Sequence, residues 1–283
     1  MRLYLGTSGY YNDDWRGLLY PENSPRSAYL RLYAQHFNIV EVNSSFYGIP
    51  SVRSWQGKLR DSQGRLRFAV KLHQNMTHQR QAAASDYQQL RESVAPLLEQ
   101  QALSALLAQF PYSFARNRSN RYYLQKLVQQ LQGYPLALEF RNSSWDNDAV
   151  RRSVADMGLL WVSSDYPPLA GLPLAALHPS QRRAYLRFHG RNQQTWWKGK
   201  SAAERHDYRY SAEELQPWLE AIQAQAPALD EVYIVFANTT QGHALHNLAM
   251  LRDMMLAAGL KTPDTGLQQQ LNAGKAFPEP CNG

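Results

Sequence analysis

Eight short apolar runs punctuate the chain, at 3–6, 39–43, 66–73, 103–109, 136–141, 159–164, 185–189 and 232–238, and nearly all end on a polar or charged residue. Most of the segments between them repeat apolar residues at helical spacing. Eight strands alternating with helices is the count that closes a (β/α)8 TIM barrel of the α/β class, whose working face is the C-terminal ends of its strands.

Helix signals fall where a barrel needs them. Ser24 and Pro25 offer an N-cap and a proline at the first helical position, and Ser51 precedes Val52, Trp55 and Leu59. Asp86 opens a helix in which Pro96 is expected to cause a bend or break. Tyr123, Leu124, Leu127, Val128 and Leu131 form one stripe, and Ser211 with Glu214 is a capping box ahead of Leu215, Trp218, Leu219 and Ile222. The sixth unit is the weakest, since 166–183 is rich in proline and only faintly helical. The pattern predicts one barrel domain over 1–258, with a C-terminal extension at 259–283 that wraps the barrel or is partly disordered.

Side chains alternate faces along a strand, so parity separates the barrel interior from the helix-packed exterior. It sends Glu41 and Asn43, Lys71 and His73, Glu139 and Arg141, and Arg187 and His189 inward, with Arg191 at the mouth. Gln109, Asp165 and Asn238 join them at the ends of the fourth, sixth and eighth strands. Buried charges are costly unless paired, so the structural reading is a set of interior salt bridges, Glu41 with Lys71 and Glu139 with Arg141. The functional reading is a pocket at the face where barrel enzymes work.

Composition narrows the partners. Of 283 residues, 30 are Lys or Arg and 23 are Asp or Glu, giving a net charge of +7 and a pI near 9.4. That excess favours anionic partners, from a phosphorylated metabolite to nucleic acid. The single cysteine, Cys281, permits neither an intramolecular disulfide nor a thiolate metal cluster. No run approaches a membrane span and the N-terminus lacks a signal-peptide pattern, so a cytoplasmic protein without membrane partners is expected.

The connection at 190–210 interleaves Arg191, Lys198, Lys200, Arg205 and Arg209 with Trp196, Trp197, Tyr208 and Tyr210. Such a loop either stacks on a ligand's ring beside its phosphates or packs as a lid over the rim. The acid-free stretch 116–126 adds Arg116, Arg118, Arg121 and Lys126 on the same face.

Seven stretches carry a wider resemblance: GTSGYYNDDWRGLLYP at 6–21, VEVNSSFYGIPS at 40–51, FAVKLHQNMTH at 68–78, AQFPYSF at 108–114, LEFRNSSW at 138–145, RFHGRN at 187–192 and VFANTTQGHALHNLAML at 235–251. Together they resemble the YecE-like family, domain of unknown function seventy-two, over roughly residues 3–255. The resemblance implies a TIM barrel but no reaction, since the family carries no established activity. It implies site positions at Glu41, Asn43, Lys71, His78, Gln109, Glu139, Arg141, Trp145, Asp165, His189, Arg191 and Asn247. Asn142 and Ala237 depart from the family pattern, which usually has histidine and asparagine there.

Retaining glycoside hydrolysis needs one carboxyl with a raised pKa, which Lys71 and Arg141 beside Glu41 and Glu139 oppose. Metal-assisted chemistry through Glu41, Glu139, Asp165 and His189 lacks a ligand motif, so no cofactor is predicted and a divalent metal is the lesser alternative. The best fit is an enzyme, a hydrolase, lyase or isomerase, acting on a phosphorylated or otherwise anionic small molecule. Glu41, Lys71, Glu139, Asp165 and His189 are its catalytic candidates, and Asn43, His73, His78, Gln109, Arg141, Arg187, Arg191, Trp196 and Asn238 its binding candidates. A nucleic-acid-binding or processing protein and a non-catalytic ligand-binding barrel are the alternatives. The oligomeric state is left open.

Overall fold

The computed structural model describes residues 1–263 and residue 271. Eight parallel strands close into a barrel in sequence order: β1 (Arg2–Ser8), β2 (Ile39–Val42), β3 (Arg67–Lys71), β4 (Leu103–Phe110), β5 (Leu136–Phe140), β6 (Leu160–Asp165), β7 (Arg183–Phe188) and β8 (Glu231–Phe236). All eight runs read from the sequence are strands. The helices are α1 (Tyr29–Tyr33), α2 (Val52–Ser62), α3 (Gln74–Thr77), α4 (Ala84–Glu99), α5 (Arg118–Gln130), α6 (Asp148–Asp156), α7 (Ala202–Arg205), α8 (Ala212–Gln225) and α9 (His243–Ala257). No helix among the described residues is long and apolar enough to cross a membrane.

Local chemistry sets the helix starts. The Ser51 side chain accepts from the Ser54 amide, and Ser211 with Glu214 forms the reciprocal capping box. Asp86 lies three residues inside α4 and accepts from the Ala83 amide at 2.9 Å. The break expected at Pro96 does not occur, because Pro96 sits in the last turn of α4, where its missing N–H forfeits a single bond. Between β6 and β7, where the proline-rich sequence is only faintly helical, the chain forms no helix.

Two apolar layers result. Tyr4, Ile39, Ala69, Leu107, Ala137, Val162, Tyr185 and Tyr233 fill the barrel interior from below. Leu5, Val40, Val70, Leu106, Leu138, Leu186 and Ile234 point outward into the larger core shared with the helices. At the β1–β2 seam the Tyr33 hydroxyl bridges the strands, accepting from the Thr7 amide at 2.8 Å and donating to the Ile39 carbonyl at 2.9 Å. Gly6 is required there, since an added Cβ would lie 1.9 Å from the Ile39 oxygen. Most of the extension at 259–283 falls outside the described residues; Leu271 is buried against the outer core.

A candidate active site at the barrel mouth

Above the apolar plug lies a charged layer centred on Arg187. Its Nε and Nη2 donate to the two oxygens of Glu41 at 2.8 and 2.6 Å, a bidentate pair across the barrel. Its Nη1 donates to Glu139. All three residues are buried. The interior pairs anticipated from sequence, Glu41 with Lys71 and Glu139 with Arg141, are therefore not the ones formed. Arg187 reaches both carboxylates from β7 and takes them up, leaving Lys71 and Arg141 without ion pairs among the described residues.

Glu139 is also approached by the Tyr166 hydroxyl and by His189 Nε2, the latter at 3.0 Å. Burial pushes the Glu139 carboxyl up, but Arg187, His189 and Arg141 outweigh it and hold it well below the usual carboxylate range. Burial lowers His189 in turn, with Arg187 opposing protonation further, so the imidazole is neutral. Its Nε2 lies 3.0 Å from Glu139 Oε1 and 3.2 Å from Arg187 Nη1, donating to the first in one neutral tautomer and accepting from the second in the other, while Nδ1 has no partner.

Over this layer opens a cavity of about 520 Å³. Lys71, His78, Gln109, Arg141, Arg187, His189 and Asn43 all line it, as do Arg205 and His206 from the long loop. Lys71 Nζ lies 4.7 Å from the Phe46 ring centre. Burial, then Arg187 and Arg141, bring its ammonium down to about 8. His78 is lowered to about 4 by burial and by Lys71 and Arg141. Arg141 and Arg205 each lie 5.9 Å from the Trp196 ring; neither makes an ion pair among the described residues. Several buried polar atoms here lack partners: Asn43 Oδ1, Gln109 Nε2, Arg141 Nε and His189 Nδ1. The lining's one carboxylate is Asp14, on the exposed rim.

Five candidates lie elsewhere. Asp165 ends β6 one residue beyond Ser164, so parity turns it outward, where it accepts from Arg191, Tyr210 and Trp218 at 2.6 to 2.8 Å. Arg191 is committed to that pair. His73 falls after the end of β3 and caps α3 through Nδ1. Asn238 follows the inward Ala237 and donates to the Tyr208 carbonyl and to Asn247. Trp196 is buried against Tyr166, His189 and His206 as rim packing, while Trp197 is exposed. Among the described residues no three His, Cys, Asp or Glu side chains converge as metal ligands.

Sequence reasoning passed over Tyr185, whose inward parity on β7 was readable and whose hydroxyl donates to Glu41 at 3.1 Å. It also passed over Ser8, two residues past the expected end of β1, which donates to Glu41 at 2.8 Å. Arg205 and His206 carry no sequence signal of inward placement. His206 Nδ1 donates to the His189 carbonyl at 2.6 Å, which folds the loop over the mouth.

Fold and site together define an eight-stranded α/β barrel with a cation-rich cavity at its C-terminal mouth. Residues 4–271 match the family described as Protein of unknown function DUF72, and the chain belongs to that family. It is 30% identical over 269 residues to the UPF0759 protein YunF of Bacillus subtilis (strain 168), covering 89% of this chain and 94% of that one. The crystal structure of a DUF72 family protein (TM1631) from Thermotoga maritima MSB8 is similar, with a TM-score of 0.82, 35% identity and coverage of 90% and 100% of the two chains. A DUF72 family protein (EF0366) from Enterococcus faecalis V583 shares the fold at a TM-score of 0.80 and 24% identity, over 93% of this chain and 98% of that one.

Proposed function

We propose that the mouth cavity binds a small anionic molecule, phosphorylated or carboxylated, and that the barrel acts on it as an enzyme. One observation carries this reading: Lys71, Arg141 and Arg205 face the cavity with no carboxylate partner among the described residues. Holding three half-buried cations together without counterions is unfavourable. Burial and the neighbouring Arg141 already oppose the charge on Arg205. An anion between the two guanidinium groups relieves that cost, and the unpartnered Gln109 Nε2 and Arg141 Nε supply further donors. Asn43 Oδ1 remains as an acceptor for a hydroxyl on the same ligand, and the unpartnered His189 Nδ1 accepts or donates according to its tautomer.

Glu139 suits orientation rather than proton donation, because Arg187 keeps it ionised. Its effect is to orient the His189 ring. The test is thermal unfolding in inorganic phosphate against chloride at equal ionic strength. Phosphate should raise the midpoint by several degrees through preferential binding to the folded state, and Arg141→Gln with Arg205→Gln should abolish the difference. Equal midpoints in the two salts for the unaltered protein would remove the reading.

A further inference from the structure

Lys71 differs from Arg187, the buried cation beneath it. A lysine that serves the fold either pairs with a carboxylate or extends its amine to water. Lys71 does neither. It ends β3, its parity turns it inward, and its Nζ sits by the Phe46 ring at the cavity wall. The two carboxylates below it are occupied by Arg187, which holds Glu41 at 2.6 and 2.8 Å and Glu139 through Nη1. The remaining charges that face it are those of Arg187 and Arg141. This is an arrangement that loosens the hold of Nζ on its proton, so that a larger share of the amine than in an ordinary lysine is in the neutral, nucleophilic form at the cavity wall.

We propose that Lys71 forms an imine with the carbonyl group of an anionic aldehyde or ketone held in the mouth cavity. The proposal rests on the anion-binding reading, for Arg141 and Arg205 would hold the substrate's carboxylate or phosphate while its carbonyl meets Nζ. The Nζ lone pair bonds to the carbonyl carbon, and one N–H proton passes to the carbonyl oxygen to give a carbinolamine. Loss of that hydroxyl with the second N–H proton releases one water and leaves the C=N bond. No oxidant or reductant is needed. Protonated, the imine withdraws the electron pair of an adjacent C–H or C–C bond, which narrows the reaction to lyase or isomerase chemistry. Gln109 and His189, lining the same wall, bring the unpartnered Nε2 donor and Nδ1 nitrogen to the departing oxygen.

The experiment uses glyoxylate, an aldehyde bearing a carboxylate, with cyanoborohydride on the unaltered full chain, followed by peptide mapping of carboxymethyl-lysine. Lys71 should be modified at least ~10-fold faster at pH 7 than the exposed Lys198 and Lys200, as a lowered amine pKa dictates. Inorganic phosphate should slow the labelling, and Lys71→Arg should keep the fold but carry no adduct at that position. The rate should rise with pH to a midpoint near 8, the balance struck at Nζ by burial and the Arg187 and Arg141 charges against Glu41 and Glu139, with the neighbouring His78 uncharged there. Labelling of Lys71 no faster than of Lys198 overturns the imine. If phosphate still stabilises the fold in that case, the anion site stands without it. Rapid labelling of Lys71 by propanal as readily as by glyoxylate, with no protection by phosphate, overturns the anionic substrate and the reading beneath it.

Discussion

Lys71 and Arg187 lie in the same barrel interior, and their surroundings give them opposite thermodynamic signs. Arg187 is matched by two carboxylates. Lys71 is matched by none, so its charge weighs against the fold. Below pH 8 both folded and unfolded chains hold its proton and the folded one bears the cost. Between about 8 and its ordinary value near ~10.4 only the unfolded chain holds it, so stability rises with pH across that window. Lys71→Met should accordingly raise stability at pH 7 by about 2 kcal/mol, measured by urea denaturation, and erase the rise above pH 8. A loss of stability at pH 7 would show that the ammonium is satisfied in the folded protein. Residues that cost stability in this way mark sites kept for function.

At the scale of elements, the loop after β7 depends on Asp165. That carboxylate is fully buried and accepts from Arg191, Tyr210 and Trp218, joining β6, the loop and α8. Asp165→Asn leaves the part-exposed Arg191 with only the longer contact to Glu214 at 3.5 Å and should cost about 3 kcal/mol. It should also open 190–210 to limited proteolysis; a variant with wild-type stability and an uncut loop would contradict this account. The same element shows where the sequence was legible and where it was not. Parity placed Glu41, Lys71, Glu139 and Arg187 on the inner face because they lie within or at the end of regular strands. It failed for His73, Asp165 and Asn238, where one residue at a strand end decides between mouth and outer layer. Arg205 and His206 were out of reach, because a loop's path is set by tertiary bonds such as the one from His206 to the His189 carbonyl.

For the whole molecule, acid should be more damaging than base. His206 is lowered to about 3 by burial and by Arg141, and His78 to about 4. Such imidazoles are neutral in the folded chain and protonate first in the unfolded one. The unfolded state therefore binds more protons as pH falls from about 6.5, and stability drops through that window. Glu139 adds to the same trend, since its stabilising charge is lost as pH falls toward its depressed folded value. Stability from urea melts should decline steadily from pH 6.5 to 4, with a shallower decline in His206→Gln. An unchanged slope in that variant would mean that His206 protonates without penalty.

Arg187 reaches from β7 to Glu41 on β2 and Glu139 on β5, three strands spaced around the ring. Mechanically this is a tripod brace set inside a cylinder. It resists flattening of the cross-section at the level just under the cavity. The side chains carried by those same strands and their ends, Asn43, Arg141 and His189, then keep fixed spacings whether or not a ligand is present. On the anion-binding proposal, such a mouth would select its ligand by a shape already in place.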